Sequence, residues 1–242
     1  MEFPFLRESE IEGAAQKLLV AVFGRPWRER QPVDLDAIVY DHLTETENLV
    51  FDDEADLPPE GGEFVLGKTL PRTGRILLNR TLKRDPEPGR GRFTLAHELG
   101  HWVLHRPLFI PPPGTLDLFG GSDVNEPEFE FVGLNRGVFP GSCRPTAVAR
   151  EEWQANRFAV ALLIDADVLR EEFEDRFGAP PVVRAAPTWR YKARSARDLA
   201  QLLARGTTDH HPPLREVFGL SVEAMAIALE SRGYVVEEAP LL

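Results

Sequence analysis

Arg92-Phe93-Thr94-Leu95-Ala96-His97-Glu98-Leu99-Gly100-His101 is the stretch on which the reading of this chain turns. Histidines four residues apart share one face of a helix, a turn from each other. At that spacing both imidazoles reach one metal ion. Glu98 follows His97 at about 100° round the helix, where it can meet a water from the side. A bound zinc lowers the pKa of water toward ~7, and a neighbouring carboxylate takes the proton as the oxygen attacks a carbonyl. The residues read as two ligands, His97 and His101, and one base, Glu98. Leu95, Leu99, Trp102 and Val103 gather away from the histidines, so one side packs while the other lines a cleft. Gly100 costs ~1 kcal/mol relative to alanine inside a helix, which calls for a packing or functional reason. Five residues are a modest signal, since a surface helix with two stray histidines has the same pattern. The surrounding chain must decide.

Catalytic zinc usually takes three protein ligands and leaves one position open. One continuation of the pattern sets Gly and His three and six residues after His101, but Leu104 and Pro107 stand there. A glutamate from a later helix is the other source. Glu152-Trp153-Gln154-Ala155-Asn156-Arg157-Phe158-Ala159 offers Glu152, with Asn156 one turn on to bond a ligand histidine and fix its tautomer. Ala155 and Ala159 leave room for a second helix. Glu151 is the rival, about 100° away, but it has Ala155 where a polar partner would stand. An acid at a helix start also has a plain explanation in the helix dipole.

His105 extends the histidine face by one turn and reads as a supporting or cleft-lining residue rather than a ligand. His210 and His211, before Pro212, are candidates to stabilise an oxyanion, against the plainer reading of exposed loop histidines. Cys143 is the only cysteine, which excludes an internal disulfide and fits a reducing compartment. Its thiolate could occupy an open zinc position, although an inert cysteine is the simpler reading. Ligand type makes zinc the default and leaves Mn2+ and Fe2+ open.

Working outward, the pattern is an α+β one with a small sheet. A first helix is expected with Ser9 as cap, Glu12 closing a capping box and Gly24 as stop. A short helix follows over about Leu35 to His42. Residues 41–60 carry eight acidic groups and no Lys or Arg, so they read as an exposed loop around a strand at Leu49 to Phe51. Strands are expected at Glu63 to Leu66 and Arg75 to Leu78. The second is either an edge strand beside the cleft, able to hold a substrate by main-chain pairing, or an ordinary paired strand. Residues 109–149 are rich in Pro and Gly and lack a helical period, an unusual length of irregular chain. Their place between the two ligand helices suggests a cover over the cleft, with Phe109, Leu118, Phe119, Phe129, Phe131, Val132 and Phe139 as its apolar groups. Helices resume at Arg150 to Leu163, from Asp165 to about Phe177, and near 195–204, 213–218 and 222–232, before a strand at Tyr234 to Val236. The expected division is a catalytic region, 1–178, with the insertion 108–148, and a C-terminal helical region, 179–242, resembling a helix-turn-helix.

Of the 242 residues 28 are basic and 39 acidic, a formal charge of −11, which argues against a primary nucleic-acid binder. The C-terminal helices agree, because the second carries Glu223 and Glu230 against Arg232. Residues 184–205 hold six basic groups and one acid, most simply a solvated face. No apolar run approaches the ~20 residues that span a bilayer. Met1 to Ser9 lack the layout of a signal peptide. A soluble, cytoplasmic protein without a membrane part is the expectation.

Taken together, Arg92 to His101 and the later Glu152-x-x-Ala-Asn156-x-Phe-Ala159 resemble the ImmA/IrrE family of bacterial and phage metallopeptidases. The strand Arg75-Ile-Leu-Leu-Asn79 and the segment Phe218-Gly-Leu-Ser-Val-Glu-Ala-Met225 are similar to family segments too. The resemblance implies a zincin-like domain that cleaves a helix-turn-helix transcriptional repressor and so derepresses stress-response or mobile-element genes. It implies His97, His101 and Glu152 as metal ligands and Glu98 as acid/base. Two features depart from the family's usual pattern. Glu152 lies 51 positions after His101, a long separation, and the later helix ends Leu162-Leu-Ile-Asp165 in place of Leu-Leu-Met-Pro. The competing reading is a non-catalytic, metal-stabilised binding or regulatory protein of the same fold; an intact Glu98 speaks for the enzyme.

Overall fold

Glu8–Phe23 form α1, which buries Ile11, Ala15, Leu18 and Leu19 on one face. Its cap is Arg7, two residues earlier than Ser9. The Arg7 N–H donates to Glu10 Oε2 at 2.8 Å and its guanidinium grips the same carboxylate, so Glu10 closes the box in place of Glu12. Gly24, at φ 68°, ends the helix. These are features of a computed structural model that describes residues 3–25, 31–87, 89–110, 129–134, 150–184, 195–206 and 211–237.

The chain then makes a π-helical segment, Ala37–Leu43, running into α2, Thr44–Glu47. Three strands follow: β1 (Val50–Ala55), β2 (Val65–Leu70) and β3 (Arg75–Asn79). The acid-rich stretch thus contains a longer strand than its charge suggested. Lys83 pairs with Asp53 and Glu54, and Arg80 with Asp56. These pairs are exposed and worth little individually, but they offset the repulsion along β1.

A fourth strand, β4 (Phe131–Leu134), comes from the stretch read as irregular. The sheet order is β1-β3-β2-β4. β3 lies parallel to β1 and antiparallel to β2, so it is paired on both sides and is not an edge strand. The edge beside the histidine-bearing helix is β4, whose Phe131 and Gly133 stand opposite Thr69 and Gly67. Buried Lys68 of β2 binds Glu60 and, at 2.6 Å, Glu130, tying the start of β4 to the sheet.

The histidine-bearing helix is α3, Gly89–Gly100, continued by a π-helical turn, His101–His105. It packs between the sheet and α4, Arg150–Leu163. Asp165 caps α5 (Ala166–Phe177), accepting from the Asp167 and Val168 N–H groups at 2.9 Å. Short strand β5 (Val182–Arg184) pairs in parallel with β6 (Val235–Glu237). Between them lie α6 (Ala196–Arg205), α7 (Leu214–Val217) and α8 (Val222–Ser231), with Ser195 and Ser221 capping α6 and α8. Arg197 of α6 takes both acids of α8, Glu223 and Glu230. One hydrophobic cluster joins Leu99 and Phe158 to Leu199, Leu203 and Met225. No helix among the described residues is long and apolar enough to cross a membrane.

Glycines set two of the close contacts around α3. A Cβ on Gly89 would lie 2.1 Å from the Leu220 carbonyl carbon, so the start of α3 abuts the chain just before α8. A Cβ on Gly100 would lie 2.9 Å from Ala155 Cα and 3.0 Å from Ala155 O, both backbone atoms of α4. Gly100→Ala should therefore destabilise the protein by about 1–3 kcal/mol, as overpacking does, against its better helix propensity. Gly13→Ala, on α1 with nothing near its added carbon, should stabilise by about 0.5–1 kcal/mol. Urea unfolding of both variants checks this. Equal stabilisation by both would show that α3 and α4 are not in tight contact.

Candidate metal centre

Four-residue spacing along α3 and its π-helical continuation brings His97 Nε2 and His101 Nε2 to 3.1 Å. The Gly100–Ala155 contact brings α4 close enough for Glu152 to complete the group. Its Oε1 lies 3.2 Å from His101 Nε2 and its Oε2 3.4 Å from His97 Nε2. His97 and His101 are buried and Glu152 is half-buried, and the three form a group that could hold a metal ion. Glu151 is not part of it.

The donor set fits such an ion in spacing and in polarity. Two ligand atoms on a tetrahedral ion with arms of ~2.1 Å stand about 3.4 Å apart, close to the three separations here. An imidazole binds metal through a lone pair, so its other nitrogen must carry the proton. Asn156 Oδ1 lies 2.9 Å from His97 Nδ1, which donates to it and leaves Nε2 free toward Glu152. His101 turns its Nδ1 away from the group, to His105 Nδ1 at 3.0 Å. His105 is not in the group; its Nε2 meets Gln154 Oε1 at 2.8 Å.

Electrostatics separate the members. Burial would lower His97, yet the adjoining Glu152 carboxylate outweighs it and pushes His97 up to about 9, so a metal ion would have to displace its Nε2 proton to bind there. Burial opposes the charge of Glu152, but its contacts with His101 and His97 hold it well below the usual carboxylate range. Desolvation pushes His101 down to about 3 and His105 down to about 4, keeping both neutral.

Glu98 has a different setting. It is fully buried, and Thr69 Oγ1 of β2 donates to its Oε2 at 2.7 Å. Among the described residues its Oε1 has no hydrogen-bond partner. The side chain lies in a gap left by the cross-strand pair Gly67 and Gly133, where added Cβ atoms would come within 2.6 and 2.5 Å of Oε1. Burial in this gap pushes Glu98 up to about 7, the range in which a carboxyl both takes and returns protons near neutrality.

The described part of the connecting segment borders the group. Phe131 stacks on the His101 ring at 4.2 Å and 19°. Phe129, Phe109 and Phe3 pack round Phe131 at 4.9, 5.8 and 5.6 Å. Leu118, Phe119, Phe139, Cys143 and the rest of 111–128 and 135–149 lie outside the described residues, as does His210. His211 pairs with Asp175 of α5 at 3.0 Å. Sequence reasoning missed Thr69, Gly67, Gly133 and Gln154, whereas Phe131 was among the apolar groups expected to pack over the cleft. Compared with known proteins, the chain matches no family model and none of the curated proteins.

Purified protein should carry one divalent ion per chain, and His101→Ala and Glu152→Ala should reduce that content to background. Elemental analysis of the three proteins tests the group. Equal metal in all of them would dissolve it.

Proposed function

We propose that this protein is a zinc-dependent endopeptidase with a zincin-like catalytic domain. The observation that carries the reading is Glu98: a buried carboxyl poised near neutrality, one oxygen held by Thr69 and the other without a partner among the described residues, beside a His97–His101–Glu152 group. Zinc held by those three residues would supply a Lewis acid for a substrate carbonyl; manganese or iron would suit the same donors. Glu98 accepts the proton of the attacking water and returns it to the leaving amine. Thr69 and the glycine gap keep its carboxylate in place for both transfers. Asn156 and His105 hold the two histidines with Nε2 facing Glu152.

The substrate proposed is a helix-turn-helix transcriptional repressor in the cytoplasm, cut to release stress-response or mobile-element genes. Its support is the resemblance of Arg92 to His101 and Glu152 to Ala159 to the ImmA/IrrE family. The helix-turn-helix-like α7 and α8 serve packing or substrate recognition in this reading, with the acids of α8 engaged by Arg197.

Glu98→Gln should keep the fold and the metal and slow cleavage by about 10²–10⁴-fold, the usual worth of a general acid–base group. The amide keeps the shape but cannot take a proton at neutral pH. Metal-loaded wild type and variant would each be incubated with the repressor encoded beside this gene, and the fragments read by mass spectrometry. Cleavage by the variant at the wild-type rate would overturn the role of Glu98. An uncut repressor with the metal-loaded wild type would overturn the substrate.

A further inference from the structure

A line of four hydrogen-bonding groups runs from the metal group to the amino-terminal segment. Gln154 Nε2 donates to the Pro4 carbonyl at 2.8 Å. Gln154 Oε1 faces His105 Nε2 at 2.8 Å. His105 Nδ1 faces His101 Nδ1 at 3.0 Å. Gln154, His105 and His101 are each at most 1% exposed, so water does not compete for these atoms.

The polarity of the line is fixed from its outer end. A proline carbonyl only accepts, so the Gln154 amide nitrogen must face it and the amide oxygen must face inward. That oxygen only accepts, so His105 carries its proton on Nε2. Neutral His105 then has a lone pair on Nδ1 and accepts from His101 Nδ1–H. The His101 proton is thereby placed on Nδ1, and the lone pair on Nε2 turns toward His97 and Glu152. Reversing the Gln154 amide would set N–H against His105, move the His105 proton to Nδ1 and leave His101 with its proton on the wrong nitrogen.

We propose that Gln154, oriented by the Pro4 carbonyl, is a positioning residue that fixes the tautomer of His101 through His105. The proposal rests on His101 being a metal ligand and goes beyond it. It makes the backbone of residue 4 part of the metal centre, although residue 4 lies 150 positions from Gln154 in the chain. Phe3 supports the same geometry, packing edge-on to the His105 ring at 5.3 Å.

The test compares Gln154→Leu with Gln154→Glu in the full chain, with wild type and His101→Ala alongside. Zn2+ affinity is read by competition with a chromogenic chelator, and folding by circular dichroism of the metal-free proteins. Leucine fills the space but removes the acceptor. A neutral glutamic acid keeps an acceptor for His105 and an O–H for the Pro4 carbonyl. Gln154→Leu should bind Zn2+ about 10–100-fold more weakly, the usual effect of losing a partner behind a ligand histidine, and Gln154→Glu within about threefold of wild type on the same scale. A purely packing role predicts the opposite order, because burying an acid disturbs a core more than leucine does. Long-range ¹H–¹⁵N spectra of the imidazoles should show His105 as the Nε2–H tautomer in wild type and Gln154→Glu, and not in Gln154→Leu.

Leucine binding as tightly as wild type, or glutamate more weakly than leucine, overturns the proposal. So does a wild-type His105 protonated on Nδ1. Should Gln154→Leu fail to fold, the glutamate variant decides: a tenfold loss overturns, parity supports. Wild type that binds no Zn2+, or His101→Ala that binds it equally, overturns the metal reading itself and is distinct from every outcome above.

Discussion

Everything at the His97–His101–Glu152 group depends on how near the backbones of α3 and α4 come. Gly100 sits against the Ala155 Cα and carbonyl, and no side chain fits between. A glutamate reaches only a few bonds from its helix. Were α4 displaced by the width of a methyl group, Glu152 would no longer meet His97 and His101 together. The helix-propensity cost of Gly100, ~1 kcal/mol, is thus the condition for a three-residue group drawn from two helices. Ala155, fully buried on the facing surface, is the other half of the same contact.

Around that contact lie several polar side chains that are buried or half-buried. An unpaired buried polar group costs about 1–3 kcal/mol, and nearly all of these groups are paired. Asn156 takes His97, Gln154 takes His105, the Pro4 carbonyl takes Gln154, and Thr69 takes one oxygen of Glu98. Among the described residues the other oxygen of Glu98 has no such partner. Its gap between Gly67 and Gly133 requires both strands to lack a side chain at one register position. Any larger residue at either position would displace the carboxylate from Thr69.

Local patterns made the helices legible, and distant pairings hid the rest. α4 runs over the residues its periodicity indicated, and Asp165 caps α5 as its chemistry required. Ser9 misled because Ser9-x-x-Glu12 and Arg7-x-x-Glu10 overlap, and the arginine both donates its N–H and grips the acid. β4 was invisible because Phe131 to Leu134 stand among prolines and glycines, and the strand forms only against β2, over sixty positions earlier. The Gly67–Gly133 gap has meaning only once that register is known. Gln154 had no signal at all, since its partners are a backbone carbonyl at the amino terminus and a histidine on another helix. His97, His101, Glu152 and Asn156 were readable because helical spacing alone puts each pair on a common face.

Two carboxylates stand in this centre, and their surroundings drive them apart. Glu152 is half-buried and faces two imidazoles, so its charged form is favoured and it stays an anion across the neutral range. Glu98 is enclosed by backbone and receives one hydroxyl, so burial holds its proton up to about pH 7. Acid–base roles divide in this way when neighbouring carboxyls have unlike environments. The more ionised group suits holding a cation, and the group that gains and loses a proton near neutrality suits moving one. This division follows from placement alone: Glu152 meets the imidazole edges from the facing helix, while Glu98, one residue from His97, points at the sheet. Shifting either carboxylate into the other's surroundings would exchange their chemistry while leaving the residue types unchanged.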